Sequence, residues 1–411
     1  MSVSTTEQDT TGQDLTITTD SGTERCPFVR FEEINKPRAD ALWHFDNFDR
    51  LREKARVHFG DAAGNEFWLL TRLEDIRAAF QHPEMFSSTA VVPVDPDPPY
   101  MWIPEMLDPP LHTKWRQLLG PTFSPAAIAK LEPRVRARFA EILDDVADRG
   151  GCEYVSDVAL RFPNTIFMEI MGLPVSDAAQ FQVWETAILH GVMGSEDSLN
   201  AMNEVNEYFT ALIAERRKNP ADDLLSAAVG YEIDGRPVSD DDLLAFCLLL
   251  FMAGLDTVAA QLTFSMLHLA THEDDRRRLV EDPSLWPNAI EEFLRFYSFV
   301  TPGRKVMKDE EFHGCPMKAG QMVYMPLLSA NRDPAEFPDA DRVVIDRPSN
   351  RHIAFGAGPH RCLGSHLARQ ELRIGLMEWH ARIPDYRLPE GAVIGEHGGQ
   401  IGLDNLPLQW G

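Results

Sequence analysis

Two stretches of the chain depart from an ordinary mixture of apolar and polar positions. From Leu243 to Leu255 every residue is apolar or glycine, and Ser239-Asp240-Asp241-Asp242 stands just before it. Serine followed by acids suits a helix N-terminus. The apolar run alone is too short for a bilayer, and Asp256 ends it. The pattern resumes through Val258, Leu262, Phe264, Met266, Leu267 and Leu269. It predicts one buried helix of about 30 residues, ~45 Å long, crossing the whole domain. The second stretch has Leu363, Leu367, Leu372, Leu376 and Trp379 near helical spacing, directly after a glycine-rich loop. Elsewhere, Glu66–Leu70 predicts a strand and Leu73–Phe80 a short helix. From Pro125 to about Val229 the pattern is mostly helical. Its breaks are Gly150-Gly151, Gly172-Leu173-Pro174 and Gly191–Glu196, with a mobile loop expected over Gly191–Ser198. Ser87–Pro110 is a long proline-rich connection carrying Tyr100, Trp102 and Ile103, and loops of that length are usually functional. Gly398–Trp410 suggests a short hairpin. The fold class that follows is mainly α with a small β region.

Composition narrows the function classes. Apolar content of 44% and charged content of 25% are those of a globular protein. Net charge is −25, from 39 basic and 64 acidic residues, so nucleic acid is not an expected partner. Cys26, Cys152, Cys247, Cys315 and Cys362 are scattered without a C-x-x-C pair, which suits a reducing cytoplasm. Residues 1–25, rich in Ser, Thr, Asp and Gly, are expected to be a disordered tail. They have no apolar core of a signal or anchor. Residues 26–411 are expected to form a single domain.

The chemistry concentrates at Phe355-Gly356-Ala357-Gly358-Pro359-His360-Arg361-Cys362-Leu363-Gly364. The cysteine ends a glycine-rich loop just before a helix N-terminus, where N–H groups and the dipole favour an anion. A thiolate of lowered pKa there is a metal ligand or nucleophile. A lone cysteine is more often a buried small hydrophobe. Other polar groups occupy unusual places. His112 and Arg116 are i and i+4 after Asp108-Pro109-Pro110. Asp256 and Thr257, in Ala253-Gly254-Leu255-Asp256-Thr257, interrupt an apolar helix, which is costly unless they are paired or used. Glu292 and Arg295 are i and i+3 among Phe293, Leu294 and Phe296.

The order Phe-Gly-x-Gly-x-His-x-Cys-x-Gly resembles the haem-binding loop of cytochromes P450. Four further motifs follow the same family's order: Asp108–Arg116, Ala253–Thr257, Glu292–Arg295 and Ala330-Asn331-Arg332-Asp333-Pro334. The resemblance runs from about Phe31 to Trp410. It implies a single-domain P450 prism holding haem b (iron protoporphyrin IX), with Cys362 as the metal ligand. Phe355, Gly356 and Gly364 would shape the cofactor loop, and His112, Arg116, Arg304 and His360 would contact haem propionates. A thiolate ligand pushes electron density onto iron and favours O–O cleavage. Thr257 would hydrogen-bond dioxygen, the co-substrate, and Asp256 would feed protons from solvent. Glu292 and Arg295 would be structural, with Arg342 as third member, although Asp341-Arg342-Val343-Val344 departs from the family's D-R-F-D.

The resemblance further implies a monooxygenase served by a ferredoxin and an NAD(P)H-dependent reductase, monomeric, cytoplasmic and free of the membrane. The ferredoxin would dock on a proximal basic patch of Arg72, Lys114, Arg116 and Arg361. Tyr100, Trp102, Leu249, Met252, Ala253, Phe299, Val300 and Ile401 outline an apolar substrate pocket. Tyr100–Pro104, Gly254–Thr257 and Phe299-Val300 look closest to terpenoid hydroxylases such as those acting on camphor or ionone. Tyr100 would donate to a substrate carbonyl. A fatty acid or steroid is the alternative substrate. A peroxide-driven peroxygenase or a non-catalytic haem sensor is the alternative function, and the Asp256–Thr257 pair argues against both.

Overall fold

The computed structural model describes residues 15–19, 22–62, 64–190 and 195–411. Its principal helices in chain order are α1 (Trp43–Lys54), α2 (Leu73–Gln81), α3 (Leu111–Leu119), α4 (Pro125–Val146), α5 (Arg161–Met171) and α6 (Ala178–Glu185). They continue with α7 (Glu196–Lys218), α8 (Asp240–Gly254), α9 (Asp256–Thr271), α10 (Trp286–Phe296) and α11 (Ser365–Arg382). Several starts are written in the sequence. Ser124 accepts a hydrogen bond from Ala127 N–H, Ser195 from Ser198 N–H and Ser239 from Asp242 N–H. Gly172 ends α5 in the left-handed region at φ +66°, where a side chain would also strike Asp223.

The predicted single long helix is two helices. α8 ends at Gly254 and α9 begins at Asp256, with Leu255 between them at φ −93° and ψ −58°. The reason is local: glycine weakens the helix, and the Thr257 hydroxyl donates to Ala253 O at 3.0 Å, competing for a ladder carbonyl. The run Asp240–Thr271 is long and apolar enough by composition to cross a bilayer. Here α9 is enclosed by α5, α10 and α11.

The break falls on the seam between two cores. One gathers Phe139 of α4, Phe162 of α5, Leu262 of α9, Phe293 of α10 and Trp379 of α11. Gly375 lets α11 approach α9 closely, since a Cβ there would stand 3.1 Å from Leu262 Cδ2. The other gathers Trp115, Phe181, Phe209, Phe251 and Leu255 from α3, α6, α7 and α8 with the break itself.

Six strands form the main sheet: β1 (Phe28–Arg30), β2 (Val57–Ala62), β3 (Asn65–Leu70), β4 (Phe86–Ser87), β5 (Gly303–Val306) and β6 (Met322–Tyr324). Their order is β1-β2-β3-β6-β5-β4. β3 runs parallel to β6 with Trp68 opposite Val323, and β5 runs antiparallel to β6 with Arg304 opposite Val323. This arrangement fixes Arg304 at the sheet's inner end. Near the C-terminus, Glu396–His397 pairs with Gly402–Leu403, so a hairpin forms earlier than the expected Gly398–Trp410, with Gln400 and Ile401 at its tip, and Pro407–Gln409 pairs with Gly151–Glu153 instead.

Two expectations are only partly covered. Of the expected disordered tail, residues 1–14 lie outside the described residues, whereas Leu15–Thr19 and Gly22–Cys26 pair as antiparallel strands. Alternating Thr and Ile at positions 15–19 give that short segment strand character. Of the expected mobile loop, residues 191–194 lie outside the described residues, and Ser195 caps α7.

One expectation is corrected. Glu292 is fully buried and accepts from Arg295 Nε and Nη2 at 2.8 and 2.7 Å, Val344 N–H at 2.8 Å, Arg347 Nε at 2.9 Å and Asn350 Nδ2 at 3.0 Å. The third member of this network is therefore Arg347, not Arg342. Arg342 offers only its carbonyl, to Arg295 Nη2, and its side chain lies in an exposed residue. The chain turns after Val344, which brings the next arginine inward.

Candidate active site

The loop before α11 is shaped by two glycines. Gly356 and Gly358 have φ of +70° and +68°, and a Cβ at Gly358 would stand 2.4 Å from Phe80 O. Only glycine fits there. Cys362 N–H then donates to Phe355 O at 2.8 Å, which fixes the cysteine three residues before the helix. The Phe355 ring is held beneath the Arg369 guanidinium at 4.5 Å, and Arg369 is anchored in turn by Glu291.

Cys362 is accessible although protein surrounds it, so its thiol faces an internal hollow. The lowered thiol pKa expected from the helix N-terminus is not what the surroundings produce. Burial raises it, and the Gly364 N–H, Arg116 and Arg361 oppose that rise without overcoming it. Coordination to a cation deprotonates such a thiol outright. Among the described residues no group of three or more His, Cys, Asp or Glu converges to form a metal cluster around Cys362.

Beside the loop lies a cluster rich in donors. Arg116 Nη2 donates to Arg361 O at 2.7 Å, tying α3 to the cysteine loop. The rings of His112 and His360 face each other with centroids 3.8 Å apart. Arg304, almost fully buried, donates to Gly303 O and lies 3.5 Å from Glu105 Oε1. Glu105 Oε2 is 3.7 Å from His360 Nδ1. Burial, reinforced by His360 and Arg116, pushes His112 down to about 4. Burial alone would raise Glu105, but His360 and Arg304 hold it below the usual carboxylate range. His112 Nδ1 and both ring nitrogens of His360 are buried without a hydrogen-bond partner. Unspent donors and two guanidinium groups around a single carboxylate suit an additional anion. These residues therefore fit a haem: a lone thiol facing a hollow, with carboxylate-binding groups at its edge. Glu105 was not foreseen. It is one of several acids in the proline-rich segment, and its partner Arg304 is 199 residues further on.

A second accessible surface comes from α8 and α9. Leu249, Met252, Ala253 and Thr257 are at least partly accessible, while Phe251, Leu255 and Val258 are buried. Positions 249, 253 and 257 are successive i+4 neighbours, so one stripe of an otherwise enclosed helix pair is left accessible. Asp256 is buried, and its Oδ2 accepts from Gln400 Nε2 at 2.7 Å, which ties the C-terminal hairpin tip to the helix break. Gln400 was also missed; only the fold brings it to Asp256.

The other expected pocket residues divide. Val300 is half-buried, whereas Phe299 is stacked against Phe264 and Ile401 is fully buried in the first core. Trp102 packs on the second core, and Tyr100 stacks on it at 4.8 Å. The Tyr100 hydroxyl faces Asp95, which adds to burial in raising it above its usual value. Tyr100 is thus directed at an acid of its own loop rather than held ready for a carbonyl. A further cavity of about 310 Å³ is lined by Met101, Ile103, Leu107, Trp115 and Val238, and none of the expected pocket residues borders it. In the basic patch, Arg72 is paired with Asp333 and Lys114 with Asp234, leaving Arg361 exposed beside the half-buried Arg116.

Comparison with known proteins agrees with this geometry. A family model described as "Cytochrome P450" matches residues 190–379. The probable cytochrome P450 127A1 of Sinorhizobium fredii is 37% identical, covering 84% of this chain and 84% of that protein. The vitamin D(3) 25-hydroxylase of Pseudonocardia autotrophica is 34% identical over 84% of this chain and 88% of that protein. Among solved structures, CYP101J2 superimposes with a TM-score of 0.84 at 29% identity, covering 93% of this chain and 97% of that one. Identity at that level over more than four fifths of both chains means that the chain belongs to the cytochrome P450 family of hydroxylating monooxygenases.

Proposed function

We propose that this protein hydroxylates a compact, apolar, terpenoid-like substrate, using haem b and electrons from a ferredoxin. The observation that carries the substrate reading is the accessible stripe of Leu249, Met252 and Ala253 beside Thr257, with no charged side chain on it. Such a wall binds by burial and shape rather than by a salt bridge. Cys362 would hold the iron, His112, Arg116, Arg304 and His360 the propionates, and Phe355, Gly356 and Gly364 the loop that cradles the sulfur. When bound, haem supplies the oxygen activation and its insertion into a C–H bond.

The chain's own residues manage protons and water. The Thr257 hydroxyl donates to Ala253 O at 3.0 Å, which leaves its oxygen free to accept. Asp256, gripped by Gln400, stands next in line to pass a proton toward that hydroxyl. The apolar stripe excludes competing water from the same space. Arg361 and Arg116 form the basic face left for an acidic electron donor, in a protein whose net charge is −25.

A second substrate reading, a steroid or fatty acid, is favoured by the vitamin D(3) 25-hydroxylase among the relatives. Titrating monocyclic and bicyclic terpenoids, a sterol and a long-chain fatty acid against the ferric spin-state spectrum, followed by product analysis, separates the two. Turnover of the fatty acid or sterol with none of the terpenoids overturns the first reading. Ferredoxin-supported turnover that slows with salt, and slows further in R361E, supports the docking face; salt-independent reduction sinks it.

A further inference from the structure

Glu185 is the last residue of α6 and is 1% exposed, yet neither of its carboxyl oxygens has a hydrogen-bond partner. Asn164 on α5, 2% exposed, is in the same condition at both amide heteroatoms. The Asn164 amide is near enough to act on the Glu185 carboxyl without making a well-formed hydrogen bond to it, and the Asp256 carboxyl lies within electrostatic reach of Glu185. α5 is pressed against the helix break, because a Cβ on Gly254 would stand 3.2 Å from Phe167 Cδ2. Asn164 precedes Phe167 by one helical turn, so it shares that face. Asn164 and Glu185 therefore look onto the same break that carries Asp256 and Thr257.

Unpartnered buried polar atoms are rare and costly. Several of them together, in a site with polar walls, are the setting in which proteins hold ordered water. Burial raises Glu185 well above the usual carboxylate range, Asp256 adds to the rise, and the Asn164 amide opposes it. Two carboxyl groups sharing one dry site do not both ionise. Among the described residues the neighbouring acids are engaged elsewhere. Glu204 accepts from Trp184 Nε1, Asp177 from the Tyr208 hydroxyl, and Glu169 pairs with Arg134 and Arg138.

We propose that Glu185, seated against Asn164, is the proton-holding partner of Asp256, a second acid behind the Asp256–Thr257 pair. The proposal rests on the reading of that pair as the proton path. Hydroxylation consumes a dioxygen, two electrons and two protons and releases one water with the alcohol. Glu185 gives its carboxyl proton to Asp256 through a hydrogen-bonded water, becomes a carboxylate, and regains a proton from solvent before the next turnover. It touches neither substrate nor oxygen, so it is a positioning residue.

The test compares wild type with E185Q, which keeps size and polarity but has no acid proton, and with E185D, which keeps the acid. The first readout is the carbonyl stretch of protonated carboxyl groups in the substrate-free ferric protein at neutral pH, in H2O and D2O. Burial also pushes Glu371 up, to about 8, so E371Q is run alongside to separate any band of Glu371 from that of Glu185. The proposal expects a band that disappears in E185Q and persists in E185D. The second readout is the share of NAD(P)H electrons recovered in product rather than peroxide, as a function of pH. E185Q should lose product yield by at least about tenfold, less than the ~100-fold of a directly positioned acid because Glu185 acts through Asp256, with the substrate-induced spin shift unchanged, and E185D should restore most of it. Absence of a Glu185 band, or an E185Q product share and pH profile equal to wild type, overturns the proposal. The infrared readout needs neither substrate nor electron donor. A wild type that keeps the band but makes no oxygenated product would sink the monooxygenase reading instead.

Discussion

Glu292 and Glu185 are both glutamates at helical positions with almost no exposure, and they lie in opposite electrostatic worlds. Glu292, on the side of the cysteine loop, takes hydrogen bonds from Arg295, Val344, Arg347 and Asn350. Burial would raise it, but Arg295 and Arg347 hold it below the usual carboxylate value. Glu185, on the side of the helix break, has none of those partners and is pushed the other way. The saturated network ties together the segments leading to the cysteine loop, because Arg295 donates to Asn331 O, Ala340 O and Arg342 O, and Asn331 Oδ1 accepts from Ile353 N–H just before that loop. The unsaturated site stores hydrogen-bonding capacity that only water, proton or ligand can use. One half of the molecule is built to hold still and the other to exchange.

The largest effect expected from this contrast is at Glu292. Removing it strands two buried guanidinium groups, so E292A should lose about 3–5 kcal/mol in urea unfolding and retain haem poorly. R347A should behave likewise, whereas R342A should stay within about 0.5 kcal/mol of wild type, as a surface change does. Equal losses at Arg342 and Arg347 would contradict the corrected network. Next in size, T257A and D256N should lower product formation per electron by about 100-fold, the low end for a missing acid–base group, while leaving unfolding free energy nearly unchanged. A smaller contrast concerns pH. Burial pushes Glu371 up to about 8 in the fold. Its contribution is fully present below the ordinary carboxylate value and is lost as pH rises through about 8. Glu292 has the opposite sign: its contribution is present above the ordinary value and is lost as pH falls through its lowered one. E371Q should thus flatten the decline of stability between the ordinary carboxylate value and about pH 8, and E292Q should remove part of the acid limb. The smallest effect is expected at the exchanging site. E185L should cost less than about 1 kcal/mol or stabilise, because an apolar replacement of an unpartnered buried carboxyl relieves its desolvation.

What was legible in the sequence divides along the same line. Local signals were readable: the serine cap and acidic first turn of α8, the strand at Glu66–Leu70, and the glycines that place Cys362. Motif residues were readable as a set because they stand close together in the chain. Long-range partners were not. Arg347 rather than Arg342 completes the Glu292 network because a turn after Val344 decides which side chain points inward. Glu105 reaches Arg304, and Gln400 reaches Asp256, across most of the chain, with no spacing rule to announce either. The break at Leu255 was written as Gly254 and Thr257, yet apolar periodicity alone ran straight through it. Glu185 looks like any surface acid of an amphipathic helix until α5 and α9 are packed over it.

The account stands or falls on Cys362 as the ligand at the centre of the hollow. The most direct measurement is the difference spectrum of the dithionite-reduced, carbon-monoxide-bound protein, compared with C362H. The account predicts the strongly red-shifted Soret band of thiolate ligation in the wild type and its replacement by a histidine-type band in C362H. A histidine-type band in the wild type, or the same red-shifted band in both proteins, would contradict it.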